Sequence, residues 1–383
     1  MTTTLVPKSI SQAEVAVAAG PAEPASKLRF RTLPARQLGA ELTQAWSAMQ
    51  QGDLTLQSPF FRPEYSELIA TVRPDVFVTV ALNRDEPLAF FPFQKHWRIG
   101  SPVGGALTDY QGAIARPGVQ LDPRQLLRAC GLASWRFDHL LSAQQQFAPY
   151  GLLQADSPCI DLSCGVENYI AQRRHGCRSD FSQLMRKQRK IHREVGTLRL
   201  ELHSADPLCL ASLIEWKSAQ YRQTRTPNIF EYPWVRQVLD RALATRTADF
   251  EPCFTSLWAG DALVALILGL RSATVYHSWM TTYNSQFSSY SPGKLVLLEL
   301  VQAAPSYGIR TIDLGRGREA YKQSFANVAV PVSEGIVELR PATRWLRRQW
   351  IAARERVRES PHRETFRAAW SWFRPLRDWV KYR

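Results

Sequence analysis

Residues 274–322 read TVYHSWMTTYNSQFSSYSPGKLVLLELVQAAPSYGIRTIDLGRGREAYK. The opening TVYHSWMTTYN is rich in β-branched and aromatic residues, the composition of a strand. SQFSSYSPG is a polar loop, and KLVLLELVQAAPSYG has the length and apolar density of a helix. IRTIDL is a second short strand ending near Asp313. Gly315, Arg316, Gly317 and Arg318 follow, then Lys322. Strand, helix and strand in this order predict an open sheet, in which ligands bind outside the carboxyl ends of strands.

The start of that helix carries chemistry. Ser291 is a preferred N-cap and Pro292 a preferred first helical residue, so the helix would begin there with its first N–H groups pointing outward. A capping box calls for Glu or Gln three residues after the cap; this chain has Lys294. A cation in the first turn opposes the helix dipole by about 0.3–1 kcal/mol. An anion such as a phosphate resting on the helix start accounts for it; a solvated lysine on an ordinary capped helix is the other reading. Glycines let backbone approach a ligand closely, and arginines grip phosphate bidentately. We therefore expect Gly315, Arg316, Gly317 and Arg318 to form one wall of a phosphate-containing ligand site, and Ser291, Pro292, Gly293 and Lys294 another. Lys322 would reach back into it. The pattern is neither a Walker loop nor a dinucleotide fingerprint.

The 383 residues are 45% hydrophobic, enough for two domains. A formal net charge of +14 implies anionic partners. The cysteines at 130, 159, 164, 177, 209 and 253 show neither a CxxC pair nor zinc-finger spacing, so we expect reduced thiols and no metal. Residues 1–27 read as a disordered lead without a signal peptide. The strongest apolar run, ALVALILGL at 262–270, is too short to span a bilayer. Residues 28–158 read as one α/β domain, including a hairpin around Asn83, Arg84 and Asp85. Residues 159–340 read as a second: a basic helix, a strand, a helix, three antiparallel strands with a turn at Gly260 and Asp261, a helix, a strand, a helix and a closing strand. Cations at 173, 174, 178, 186, 187, 189, 190 and 193 mark the basic helix as a solvated face or a phosphate contact. The Arg- and Trp-rich tail, 341–383, has apolar stripes at helical spacing. It reads either as an amphipathic helix on an anionic membrane surface or as a helix pair docked on the body.

The block from Tyr276 through Asn327, with its SPG, DLGRG and YK elements, resembles the GNAT acyltransferase superfamily. More narrowly, it is similar to the CelD-like branch, associated with cellulose and exopolysaccharide synthesis and related to the FemAB peptidyltransferases. The likeness is dense over 160–338. It is looser over 30–158, where SPFFRPEYSELI and GGALTDYQG match the branch pattern. The resemblance implies two tandem GNAT-like α/β (α+β) domains with mixed, mainly antiparallel sheets, followed by the helical tail. It implies that acetyl-CoA or another acyl-CoA lies between splayed strands at 274–282 and 309–314, with its pyrophosphate on the helix beginning at Pro292. The superfamily's usual Q/R-x-x-G-x-G/A phosphate loop is absent from SQFSSYSPG.

Acyl transfer needs donors for the thioester carbonyl, a base for the acceptor and an acid for the leaving thiolate. The catalytic candidates are Tyr276, His277 and Tyr283, with Asp313 as base or orienter and Lys322 as a charge stabiliser. Strand residues alternate faces, so one of Tyr276 and His277 is expected in the core. Asp313 has a second reading as the cap of the next turn. Lys217 and Tyr221, on one helical face, with Arg225 beyond them and Asp109 and Tyr110 in the first domain, are candidates for the acceptor side. The expected function is acyl-CoA-dependent N- or O-acylation, with acetyl as the acyl group, of an amino sugar or glycan intermediate of surface polysaccharide synthesis, lipid-linked acceptors included. The expected place is the cytoplasm, with peripheral contact at the inner membrane face. An aminoacyl-tRNA-dependent transferase and a non-catalytic GNAT-fold scaffold are the alternatives; nucleic acid enters only as tRNA in the first.

Overall fold

The computed structural model describes residues 28–317 and 319–340. The lead at 1–27, Arg318 and the tail at 341–383 lie outside the described residues. Two compact units are present. The first comprises 28–56, Ser66–Ala155 and 331–340; the second comprises Gln57–Tyr65 and Asp156–Val330.

The elements run β1 (Arg29–Pro34), α1 (Ala40–Gln51), α2 (Pro63–Val72), β2 (Val76–Asn83), β3 (Glu86–His96), β4 (Ile99–Ser101), β5 (Ile114–Ala115), α3 (Pro123–Ala129) and β6 (Ser134–Leu141). They continue with β7 (Gly151–Asp161), α4 (Val166–Gly176), α5 (Arg178–Glu194), β8 (Leu198–Leu202), α6 (Pro207–Thr224), α7 (Pro233–Ala244), β9 (Glu251–Ala259), β10 (Ala262–Arg271) and β11 (Val275–Tyr283). The last are α8 (Pro292–Ala303), β12 (Thr311–Asp313), α9 (Ala320–Phe325) and β13 (Val328–Glu338). The mixed α/β class with mainly antiparallel strands is as expected from the sequence.

In the first unit β1, β2, β3 and β4 pair antiparallel in that order, β4 pairs β6 in parallel, and β13 pairs β6 antiparallel. Its core is aromatic: Phe91 meets Trp135 edge-on, with ring centroids 4.8 Å apart, among Phe93, Phe137 and Phe147.

In the second unit β8, β9, β10 and β11 form an antiparallel meander. The apolar run in β10 is buried along its interior, as a strand covered on both faces must be. Gly269 interrupts the register between β10 and β11, and the Tyr276 ring lies where a side chain at 269 would project. β12 then pairs β11 in parallel and β7 antiparallel. Helix α8 buries Leu295, Val296, Leu297, Leu298, Leu300 and Val301, so it packs on more than one side.

The basic segment departs from the single helix expected. It forms two helices, α4 and α5, broken at Cys177, whose φ of −127° and ψ of 46° leave the helical region. Gly176 precedes the break. Arg173 fixes it: its guanidinium donates to the carbonyls of Ser324 (3.1 Å) and Ala326 (2.7 Å) and to Cys177 Sγ (3.1 Å). This arginine is a strap on the end of α9, not a solvated cation. Among the described residues no helix is long and apolar enough to cross a membrane.

Candidate functional site in the second unit

β11 and β12 pair through three residues only: Val275 with Thr311, Tyr276 with Ile312 and His277 with Asp313. β12 stops there, and β11 runs on to Tyr283. Backbone N–H and C=O groups on that side of β11 are therefore left for something other than β12.

At the joint, His277 Nδ1 lies 3.5 Å from Asp313 Oδ1, and both side chains are buried. The same Asp313 oxygen accepts from Ser157 Oγ (2.9 Å) and from the Gly315 N–H (2.8 Å). Asp313 thus caps the turn that follows it and faces an imidazole, the arrangement of an orienter. The His277 ring stands edge-on to Phe60, centroids 4.9 Å apart. Tyr276 points the other way. It is fully buried, its hydroxyl sits 2.8 Å from Thr255 Oγ1, and burial pushes its phenol well above the ordinary tyrosine range. As the alternation of a strand requires, His277 faces the joint and Tyr276 the core, so Tyr276 is corrected from catalytic candidate to core residue.

Helix α8 begins differently from expectation. Ser291 occupies the N-cap position, but in the left-handed region (φ 57°, ψ 54°), and its hydroxyl does not cap the helix. Its Oγ accepts from Lys187 Nζ at 2.7 Å, while its carbonyl accepts from the N–H groups of Lys294 (2.9 Å) and Leu295 (3.1 Å). The half-buried Lys294 and Lys187 thus place two ammonium-bearing residues at one helix start. Pro292 is buried. The Tyr283 ring, at the far end of β11, lies 3.4 Å from where a side chain on Gly293 would begin.

The glycine-rich loop is closed by its own lysine. Lys322 is 7% exposed, and its Nζ donates to the carbonyls of Gly315 (3.1 Å) and Arg316 (3.3 Å). Glu319 Oε2 is 3.4 Å from the same nitrogen. Gly315 takes a φ of 70°, and a side chain on Gly317 would run into Glu319 and Lys322. The loop folds onto Lys322, so this residue holds the wall in shape.

Lys217, from α6, joins the group. Its Nζ donates to the Thr281 carbonyl at 3.0 Å, on the stretch of β11 beyond β12, and stands 5.7 Å from the Tyr221 ring centroid. Burial lowers its pKa to about 8; the Lys322 charge adds to the shift and Glu319 opposes it. Arg225 is exposed and closes α6 in a left-handed conformation (φ 52°). Asp109 and Tyr110 belong to the first unit. There Asp109 lies 3.7 Å from His139 Nε2, His139 Nδ1 is 3.0 Å from Asp138, and Tyr110 is buried. The sequence reading missed Ser157 and Phe60, and named Lys187 only as one cation of the basic helix without placing it at the start of α8. No local motif marks them, because each acts through a partner more than a hundred positions away.

Residues 178–323 match the family model of the acetyltransferase (GNAT) domain, a stretch that lies within the second unit. No curated protein matches the sequence. Among solved structures, FemX is 10% identical, with 77% of this chain and 94% of that chain covered and a TM-score of 0.49. A tandem GNAT protein from the clavulanic acid biosynthesis pathway is 10% identical, covers 82% and 99%, and scores 0.46. A GCN5-related N-acetyltransferase from Sphaerobacter thermophilus is 12% identical, covers 82% and 96%, and scores 0.39. These are distant likenesses, and none bears on what this chain acts on.

Proposed function

We propose that the second unit transfers an acyl group, acetyl first among the candidates, from acyl-CoA to an amine or hydroxyl of a sugar or glycan intermediate of surface polysaccharide synthesis. The observation that carries this reading is the short pairing of β11 with β12. Beyond His277, β11 runs on to Tyr283 without β12 beside it, toward the ring contact of Tyr283 with the start of α8 at Gly293. Main-chain N–H groups of that stretch polarise the thioester carbonyl. The Gly293 backbone, Lys294 and Lys187 receive the donor's phosphates.

Lys217 supplies the base. With a pKa of about 8, it has a neutral fraction near physiological pH that an ordinary lysine lacks. As the acceptor nitrogen or oxygen bonds to the acyl carbon, its proton passes to Lys217 Nζ and the carbon–sulfur bond breaks. The thiolate leaves toward Tyr283, which is 43% exposed and can supply its proton. Asp313 and Lys322 hold the joint and the loop in place.

Acetyl-CoA should raise the melting temperature; a ligand at a hundred times its Kd adds about 2.7 kcal/mol. Lys294→Glu should shrink that shift. Equal shifts in both proteins would remove Lys294 from the site. A second reading, an aminoacyl-tRNA donor, draws on the exposed Arg186, Arg189 and Arg193 of α5. Activity that is abolished by ribonuclease, with no response to any acyl-CoA, would select it.

A further inference from the structure

The turn between β3 and β4 contains two residues, Trp97 and Arg98, closed by the pairing of His96 with Ile99. Trp97 has a φ of 56°. When only the first central residue of a two-residue hairpin turn has a positive φ, glycine is preferred there. A bulky residue in that conformation is an outlier. The preceding hairpin, between β2 and β3, also turns through a positive φ, but its tip carries Arg84 and Asp85. Only one of these two tips shows water an indole.

That indole is 84% exposed, and Ile99 beside it is 48% exposed. The ring therefore contributes little to the core of its own unit. Its surroundings are cationic. Lys95, His96 and Arg98 share the ribbon, and residues 95–101 contain no acid. Lys95 Nζ donates to the Cys130 carbonyl at 3.1 Å, at the end of α3, where Arg128 is exposed. Asp75, whose main-chain carbonyl accepts the Lys95 N–H, is ion-paired with Arg73 at 2.8 Å.

We propose that the Trp97 turn is a contact site for an anionic lipid surface. Trp97 and Ile99 enter the interface, and Arg98, Lys95 and His96 lie at the headgroup phosphates. Tryptophan favours the boundary between headgroup and acyl chain. Arginine binds phosphate bidentately. Basic residues near an anionic leaflet add attraction that salt screens. The charge selects this partner over an apolar protein groove: a tip with basic neighbours and no acid fits a surface of phosphates.

The test uses the full chain and flotation with phosphatidylcholine vesicles, with and without phosphatidylglycerol, at low salt. The decisive variant is Trp97→Gly, because glycine suits the turn while removing the ring. We expect its melting temperature to be unchanged or raised, and its binding to phosphatidylglycerol vesicles to fall about tenfold or more. Arg98→Ala should lose about fivefold. Both variants keep residues 341–383, so a contribution from the tail cannot mimic the loss. Three results overturn the proposal: Trp97→Gly binding like wild type, Trp97→Gly lowering the melting temperature, or a lipid-independent dimer that dissociates in the variant.

Discussion

The two halves of β11 have the same alternation of side chains but different neighbours. From Val275 to His277 the strand is paired with β12, and at that end Asp313 accepts from Ser157 and Gly315 beside His277. From Ser278 to Tyr283 it lies beyond β12, and what reaches it is Lys217, on the Thr281 carbonyl. In the paired half, polar groups satisfy one another and fix a joint. In the other half β12 is absent, and a lysine with a lowered pKa sits on the strand. Under the proposed function one half is structural and the other carries the chemistry, and each part of that proposal can be broken separately.

The largest effect should come from Lys217→Met. Loss of a general base costs about a hundredfold to ten-thousandfold in turnover. The same change removes a buried charge, so the melting temperature at pH 7 should hold or rise. The folded pKa of about 8 lies below the ordinary 10.5. Between those values the unfolded chain holds a proton that the folded chain lacks, so wild-type stability gains on the variant as pH rises through that window. The stability advantage of Lys217→Met should therefore be largest below pH 8 and fade toward pH 10.5. Because Lys217 must be neutral to act as the base, the ascending, acid-side limb of the activity profile should centre near pH 8. A variant that unfolds early, or that keeps turnover within threefold, would move Lys217 out of the working half.

Asp313→Ala should do the reverse. It leaves the buried Ser157 hydroxyl and the Gly315 N–H without their acceptor, and each orphaned group costs about 1–3 kcal/mol. We expect about 3 kcal/mol less stability by denaturant titration. Asp313→Asn, which keeps one acceptor oxygen, should lose less. If Asp313→Ala keeps full stability and loses only turnover, the joint is part of the chemistry and the contrast between the halves fails.

The sequence carried the strands and the start of a helix at Pro292 well, because they rest on local signals. Alternation in TVYHSWMTTYN, the Ser-Pro-Gly start and the glycines after Asp313 all act within a few residues of themselves. The Gly260–Asp261 turn and the buried run of β10 were legible for the same reason. What failed was set by distance. The break at Cys177 is held by Arg173 across to α9, and periodicity along one segment cannot show it. Ser291 was read as a side-chain cap, yet Lys187, 104 positions away, takes its hydroxyl. Lys322 was read as pointing into the ligand site because a lysine beside a glycine loop suggests an anion. Its actual partners are carbonyls of the loop itself, which no composition rule encodes.

The smallest effect, Tyr276→Phe, tests the two faces of the paired half. Tyr276 and His277 are adjacent, and only the pleat separates their roles. The phenol contacts Thr255 inside the core, and its ring fills the space that Gly269 leaves open. Removing the hydroxyl keeps the ring, so no cavity forms. One buried hydrogen bond is lost, worth about 1 kcal/mol. Thr255 can turn its own hydroxyl toward a backbone carbonyl, which limits the loss further. Turnover per folded molecule should stay within twofold of wild type. Gly269→Ala should cost more stability than Tyr276→Phe, since its added methyl meets the ring directly. A large drop in turnover for Tyr276→Phe at unchanged stability would mean that the phenol reaches the reacting groups. The division of this strand into a core face and a joint face would then have to be redrawn.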